Sequence, residues 1–271
     1  MDASSISREG RDLAETAREH PVLDVIARSG YVVLGLLHLL VGWLAIRIAT
    51  GSGSGEASNS GALAQIAEAP GGRVALWLAV AGLGALSLWR LLQVAVGPEL
   101  KHRVKGAALG VVYLSLAATT ATFAGGASTS DGEKASDVTA TVLNQPAGAV
   151  AVGIGGLVIV GVGLYSIYQG ISRKFVENLE RGAESGNVGT AIVATGVVGY
   201  IARGVAFAVL GGLVVWAALT NDPEKAGGLD AALRYIGEQP FGMVLLIVVG
   251  VGLMMYGLFC LARARYADAD S

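Results

Sequence analysis

Charge is scarce in this chain: Asp, Glu, Lys and Arg make up 15% of its 271 residues, against about 25% in an ordinary soluble domain. Cys260 is the one cysteine, which excludes an intrachain disulfide and any metal site built from cysteines. His20, His38 and His102 are the only histidines, and their separation shows no ligand spacing. No metal or cofactor is therefore expected. A basic face or tail is also missing, so nucleic acid is not an expected partner. The serines of the apolar stretches, Ser87, Ser115 and Ser166, have no histidine or acid at a suggestive spacing, and no glycine loop follows a strand. The residues thus point away from an enzyme. Residues 1–27 mix acids and bases without an apolar core or a small-residue cleavage site, unlike a signal peptide.

What is present is apolar. Hydrophobic residues make up 53% of the chain, and there are 40 glycines. A hydrocarbon core about 30 Å thick needs roughly 20 apolar residues in a helix. Six stretches meet that need, at about 29–49, 73–96, 106–125, 147–170, 198–219 and 241–262. None alternates with the period of two that a barrel strand requires, so the expected class is all-α integral membrane.

Basic residues set the expected orientation. Fourteen of the 19 Lys and Arg fall on the side of the two termini, the 97–105 loop and the 171–197 connector. The opposite loops hold 5 basic against 9 acidic residues. Positive charge stays inside, so both termini are expected in the cytoplasm, and the protein in the plasma membrane. Trp43, Trp77 and Trp216 fall near the outer ends and Trp89 near the inner end, as an interfacial aromatic belt would.

An internal repeat organises these stretches. Gly30-Tyr31-x3-Gly35 and Gly199-Tyr200-x3-Gly204 share one spacing, and seven residues further on stand Gly42 and Gly211. A middle copy enters at Gly110, with Gly106 in the tyrosine slot and Ala117 in the last glycine slot. Pro70-Gly71-Gly72, Pro146-Ala147-Gly148 and Pro240-Phe241-Gly242 each open an even-numbered stretch. Nineteen residues after each proline comes an aromatic residue, Trp89, Tyr165 or Phe259, and four later Gln93, Gln169 or Arg263. Ahead of each proline lies a short segment with helical apolar spacing, in which Ile66, Val142 and Ile236 correspond.

These motifs resemble the bacterial membrane protein family known only as domain of unknown function 1206. The resemblance rests on Gly30, Tyr31 and Gly35, on Gly199, Tyr200, Arg203 and Gly204, on Gly163-Leu164-Tyr165, and on Tyr256-Gly257-Leu258-Phe259. It runs from about residue 24 to 265. The middle unit departs most, with Lys105-Gly106 in place of Gly-Tyr. The family's name carries no activity, so what the resemblance implies is architecture.

The expected organisation is a cytoplasmic amphipathic segment 1–27, hairpin repeats at 28–97, 101–170 and 198–265, an interfacial connector 171–197 and a tail 266–271. Each hairpin would run outward and back, and three in one orientation suit a pseudo-threefold ring. The glycines fit close helix packing, which in lipid takes the place of the hydrophobic effect.

Two groups of residues are candidates for function. His38 is the ionisable residue nearest the middle of a span, and its repeat equivalents are Tyr113 and Phe207. They would either pack or face a central axis, where His38 could sense protons or bind a ligand. Arg90, Gln93, Gln169, Arg203 and Arg263 gather near the cytoplasmic ends. They would either snorkel or form an inner ring that grips a lipid phosphate or an anionic solute. The expected function is a non-catalytic accessory, scaffold or lipid-interacting role, with membrane lipids and a membrane protein as partners. A small-solute transporter using the axis is the alternative. A sensor, with His38 reading pH or Cys260 reading redox state, stands further off.

Overall fold

The computed structural model describes residues 21–52, 56–96, 100–178 and 186–266, and over these residues it is helical with no strand. Six long helices are α1 (Pro21–Ala49), α3 (Gly72–Val96), α4 (Leu100–Ala124), α6 (Gly148–Ser172), α7 (Gly186–Thr220) and α9 (Gly242–Tyr266). Three short ones, α2 (Asn59–Glu68), α5 (Asp131–Leu143) and α8 (Gly228–Glu238), precede α3, α6 and α9. Short 3-10 turns cover Lys174–Asn178 and Pro223–Ala226. Among the described residues, four helices are long and apolar enough to cross a membrane, over Tyr31–Ala49, Gly148–Ser172, Val188–Thr220 and Gly242–Arg265. In α3 and α4 the apolar stretches among the described residues are Gly72–Leu88 and Gly110–Ala124. The 1–27 segment lies outside the described residues up to position 20, as does the tail from 267.

Local chemistry accounts for the short helices. Ser58 caps α2 by accepting from the Gly61 N–H, and Ser130 caps α5 by accepting from the Glu133 N–H. Asp131 and Glu133 add negative charge to the first turn of α5, where the helix dipole favours it. Helix α8 buries Ala232, Leu233 and Ile236 on one face. The Pro-x-Gly junctions then turn the chain. Gly71, Ala147 and Phe241 all adopt left-handed backbone, with φ of 75°, 62° and 62°. The glycine that follows each is packed against a carbonyl of the preceding short helix, of Ile66, Val142 or Gly237, where a side chain would collide.

The most extensive pairings of the long helices run between repeats. Helix α3 packs along α4, α6 along α7, and α9 along α1, so the last helix closes on the first. Of the three hairpins, α7 and α9 also lie directly side by side, while α2 packs on both α1 and α3 and so bridges the first hairpin. Neighbouring repeats are thus joined helix to helix, and the reason is the placing of the glycines. A methyl group on Gly204 would stand 2.6 Å from the Gly163 carbonyl oxygen, and one on Gly163 would stand 2.7 Å from the Gly204 oxygen. Gly211 and Gly156 meet in the same way at 2.7 and 2.9 Å. In the α1–α9 seam Gly35 faces Gly257, at 2.8 and 2.6 Å, and Gly42 faces Gly250.

Each of these two seams therefore sets two glycines seven residues apart against two more on an antiparallel partner. Van der Waals contact at this range is what holds helices together where water gives no help. The α3–α4 seam lacks some of these glycines. Ser87, seventeen residues after its proline like Gly163 and Gly257, instead donates its hydroxyl to the Gly110 carbonyl at 2.8 Å.

Helix α7 begins twelve residues ahead of the fifth expected span and absorbs the end of the 171–197 connector. The start of that connector folds inward. Phe175 is fully buried, stacked on Tyr200 at 5.1 Å and edge-on to Phe259 at 5.0 Å.

Candidate functional site

Helices α1, α7 and α9 converge on one polar group inside apolar surroundings. On α9, Tyr256, Cys260 and Arg263 follow at one-turn intervals and so share a face. Tyr256 is buried, and its ring lies 4.8 Å from the His38 ring of α1. From α7, the Arg203 guanidinium donates through Nη1 to the Tyr256 hydroxyl at 2.8 Å. It also lies over the Tyr256 ring at 5.0 Å and the Phe207 ring at 5.3 Å. Nearer the end of α9, Arg263 covers the Tyr31 ring at 4.6 Å. The buried Nε of each of these arginines has no hydrogen-bond partner. Neither guanidinium has an ion pair among the described residues.

His38 is held locally, its Nδ1 donating to the Leu34 carbonyl at 2.9 Å, one turn back. His38 and Phe207 thus reach one group through Tyr256 and Arg203. Tyr113 does not join them: it is half-buried on α4, in the pair formed by α3 and α4. Of the five inner-face candidates, Arg203 lies against Tyr256 and Phe207, and Arg263 lies two turns further along α9 against Tyr31. Gln169 is in a different place, beside Tyr165 on α6, with Nε2 donating to the Tyr165 hydroxyl at 3.4 Å. The side chains of Arg90 and Gln93, on α3, lie outside the described residues.

Sequence reasoning missed Tyr31 and Tyr256 as the aromatic floor of this group. The signal available was the helical spacing of Tyr256, Cys260 and Arg263, together with tyrosine four residues before the seam glycines Gly35 and Gly204. It also missed a second polar group, where the short helices start. The Asp131 carboxylate accepts from the Ser60 N–H at 2.9 Å and from the Ser60 hydroxyl at 2.6 Å. Asp230 accepts from the Ala57 N–H at 2.7 Å, and Ser130 donates to Glu56. These acids looked only like negative loop charge. In the fold they tie the three short helices together, burying Ala57, Ser58 and Ser60. Helices α5 and α8 touch here, with Gly228 against the Asp131 and Gly132 backbone.

Outside these two groups the long helices present apolar side chains to their surroundings. Val150, Ile154, Leu157, Val158 and Leu164 line one exposed side of α6, and Val244, Leu245 and Val248 that of α9. A soluble protein would not leave such faces bare. The fold and its surface are those of a helical membrane protein built from tandem repeats.

The family described as Domain of Unknown Function (DUF1206) matches the chain three times, over residues 29–97, 104–173 and 198–267. The chain belongs to this family. It is similar to the uncharacterized protein YxxB of Bacillus subtilis (strain 168), at 27% identity over 254 residues that cover 91% of this chain and 92% of that one. No solved structure matches it.

Proposed function

We propose that this chain is a non-catalytic component of the plasma membrane that crosses it six times, with both termini in the cytoplasm. The three repeats stand about a pseudo-threefold axis, and the protein works by holding lipids or a membrane-protein partner. The observation that carries this reading is the tie among the three short helices. The Asp131 and Asp230 carboxylates, accepting from the Ser60 and Ala57 N–H groups, gather their starts at one end of the bundle, where an axial path for solute would have to open. The glycine seams add to it. Backbones in contact at four glycine pairs leave little room for the rocking of repeats that alternating access requires.

The test is purification of the protein from native membranes in mild detergent, with native mass spectrometry and flux measurements in liposomes. Retention of a stoichiometric lipid or protein, with no solute flux above empty liposomes, is the expected result. A bare protein that carries a solute would overturn the reading in favour of transport.

A further inference from the structure

The third repeat shows how a hairpin of this protein packs on itself, and the first repeat carries the matching residues without the contact. Helices α7 and α9 lie side by side, and their backbones approach where Gly252 meets Ala202. A methyl group on Gly252 would stand 2.2 Å from the Ala202 Cβ, and one on Gly199 would stand 2.5 Å from the Tyr256 Cα. Counting from the prolines, Gly82 follows Pro70 at the distance at which Gly252 follows Pro240. Counting from the Gly-Tyr pairs, Val33 follows Gly30 as Ala202 follows Gly199. Yet α1 and α3 have no such side-by-side packing among the described residues. None of those residues comes within 4 Å of a methyl group built on Gly82, and Val33 is 49% exposed where Ala202 is 8%. Leu83 and Leu86 are half-buried, whereas their counterparts Leu253 and Tyr256 are buried.

A glycine inside a helix is destabilising relative to alanine. In lipid, where the six-span reading above puts α3, close approach of another backbone offsets that loss. Gly252 has such a neighbour, and Gly82 in the arrangement seen does not. We infer that the first hairpin has a second, closed arrangement, in which α3 seats Gly82 against Val33 of α1 as Gly252 is seated against Ala202. The rest of the fold permits the movement. The glycine seams hold α6 to α7 and α9 to α1, and none of their four pairs includes α3 or α4. Helix α3 travels with α4, to which the Ser87–Gly110 hydrogen bond ties it. Helix α2, packed on both α1 and α3 where the short helices meet, is the pivot. Gly82 lies about 15 Å along α3 from that end, far enough for a swing of the helix to carry it. Valine suits the contact, because its β-branched side chain is already stiff and gives up little freedom on packing. While the hairpin is open, lipid tails fill the space between α1 and α3, and closure returns them to the bilayer. The second repeat is built differently: Val158, 60% exposed on α6, stands where the other two have Gly82 and Gly252.

Disulfide trapping of the full-length protein in native membranes tests this, with Cys260 left in place because it is buried. Two cysteines bridge when their Cβ atoms come within about 4.5 Å. The G153C/A218C pair is the reference, since a Cβ on Gly153 would stand 3.7 Å from that of Ala218 in the α6–α7 seam. V33C/G82C should bridge within one chain. A closed arrangement populated at about a tenth or more slows that bridge no more than about tenfold against the reference. V33C/G84C should stay unbridged, because position 84 lies about 200° round the helix from position 82. A side chain at position 82 meets no neighbour among the described residues, so the G82C variants fold in the open arrangement. A reference pair that bridges beside a V33C/G82C pair that does not would refute the closure. Equal bridging of V33C with G82C and with G84C would refute it as well, by showing an α3 with no fixed face. A disulfide joining two chains of 27.5 kDa would assign the Gly82 face to a second copy and overturn the hairpin reading. The accessory role is decided separately, by lipid retention and solute flux, which the disulfide does not report.

Discussion

Gly211 and Gly212 are neighbours on α7, and the structure assigns them opposite responses to the same substitution. A methyl group on Gly211 would stand 2.6 Å from the Val160 nitrogen and 2.7 Å from the Gly156 carbonyl oxygen. Ordinary contact begins at 3.4 Å, so Gly211→Ala forces the α6–α7 seam apart by about 0.7–0.8 Å at that level. Overfilling a packed interface costs roughly 1–3 kcal/mol. The better helix propensity of alanine returns about 1 kcal/mol of it. Around Gly212 there is nothing within 4 Å, so Gly212→Ala gains the propensity and meets no clash.

The two variants should therefore differ by about 1–3 kcal/mol, with wild type between them. At the few degrees per kcal/mol typical of chains this size, that is a separation of several degrees in melting temperature. Melting in one fixed detergent, followed by loss of helix signal, is the assay. Adding Gly156→Ala to Gly211→Ala should cost less than the sum of the two, because both methyl groups enter one gap. Identical melting of Gly211→Ala and Gly212→Ala would show that the seam is soft and the glycine argument wrong.

Three further outcomes follow from the same coordinates. Gly71→Ala should cost about 1 kcal/mol, since left-handed backbone penalises a Cβ, whereas Ala147→Gly should gain a similar amount; the same melts decide both, and matching signs would refute the repeated turn. Asp131→Ala removes two bonds to Ser60 and should cost about 1.5–3 kcal/mol. It should also speed amide hydrogen exchange over Asn59–Glu68, and unchanged protection there would mean that the tie does not hold α2. Phe175→Ala empties a fully buried ring site and should cost about 3–5 kcal/mol. Limited proteolysis between α6 and α7 should report it, and wild-type resistance would place Phe175 outside the core.

The family and the repeats were legible because proline and glycine mark backbone events that no other residue performs as cheaply. Pro70, Pro146 and Pro240 announce three equal turns, and the seven-residue spacing of Gly35–Gly42 and Gly204–Gly211 announces the seams. Which seam joins which helices was not legible. A glycine stripe says that a backbone approaches, not whose, and only the fold shows Gly42 against Gly250. The arginine group was half visible. Arg203 and Arg263 stood out as charges in or near apolar stretches, but Tyr31 and Tyr256 look like ordinary interfacial tyrosines until three helices are brought together. The ties among α2, α5 and α8 were hidden for a related reason. Glu56, Asp131 and Asp230 are 75 and 99 residues apart in succession, and loop acids carry no mark of the amide they accept from.

The closure of α9 on α1 has a consequence for biosynthesis. Gly42 leaves the ribosome about 200 residues before Gly250, the glycine it must meet. At roughly 5–20 residues per second, the first helix stands in the membrane for some 10–40 s without its partner. Throughout that interval its glycine stripe stands without the backbone it will pack on, while α3 and α4, which emerge in succession, can pair as they are made.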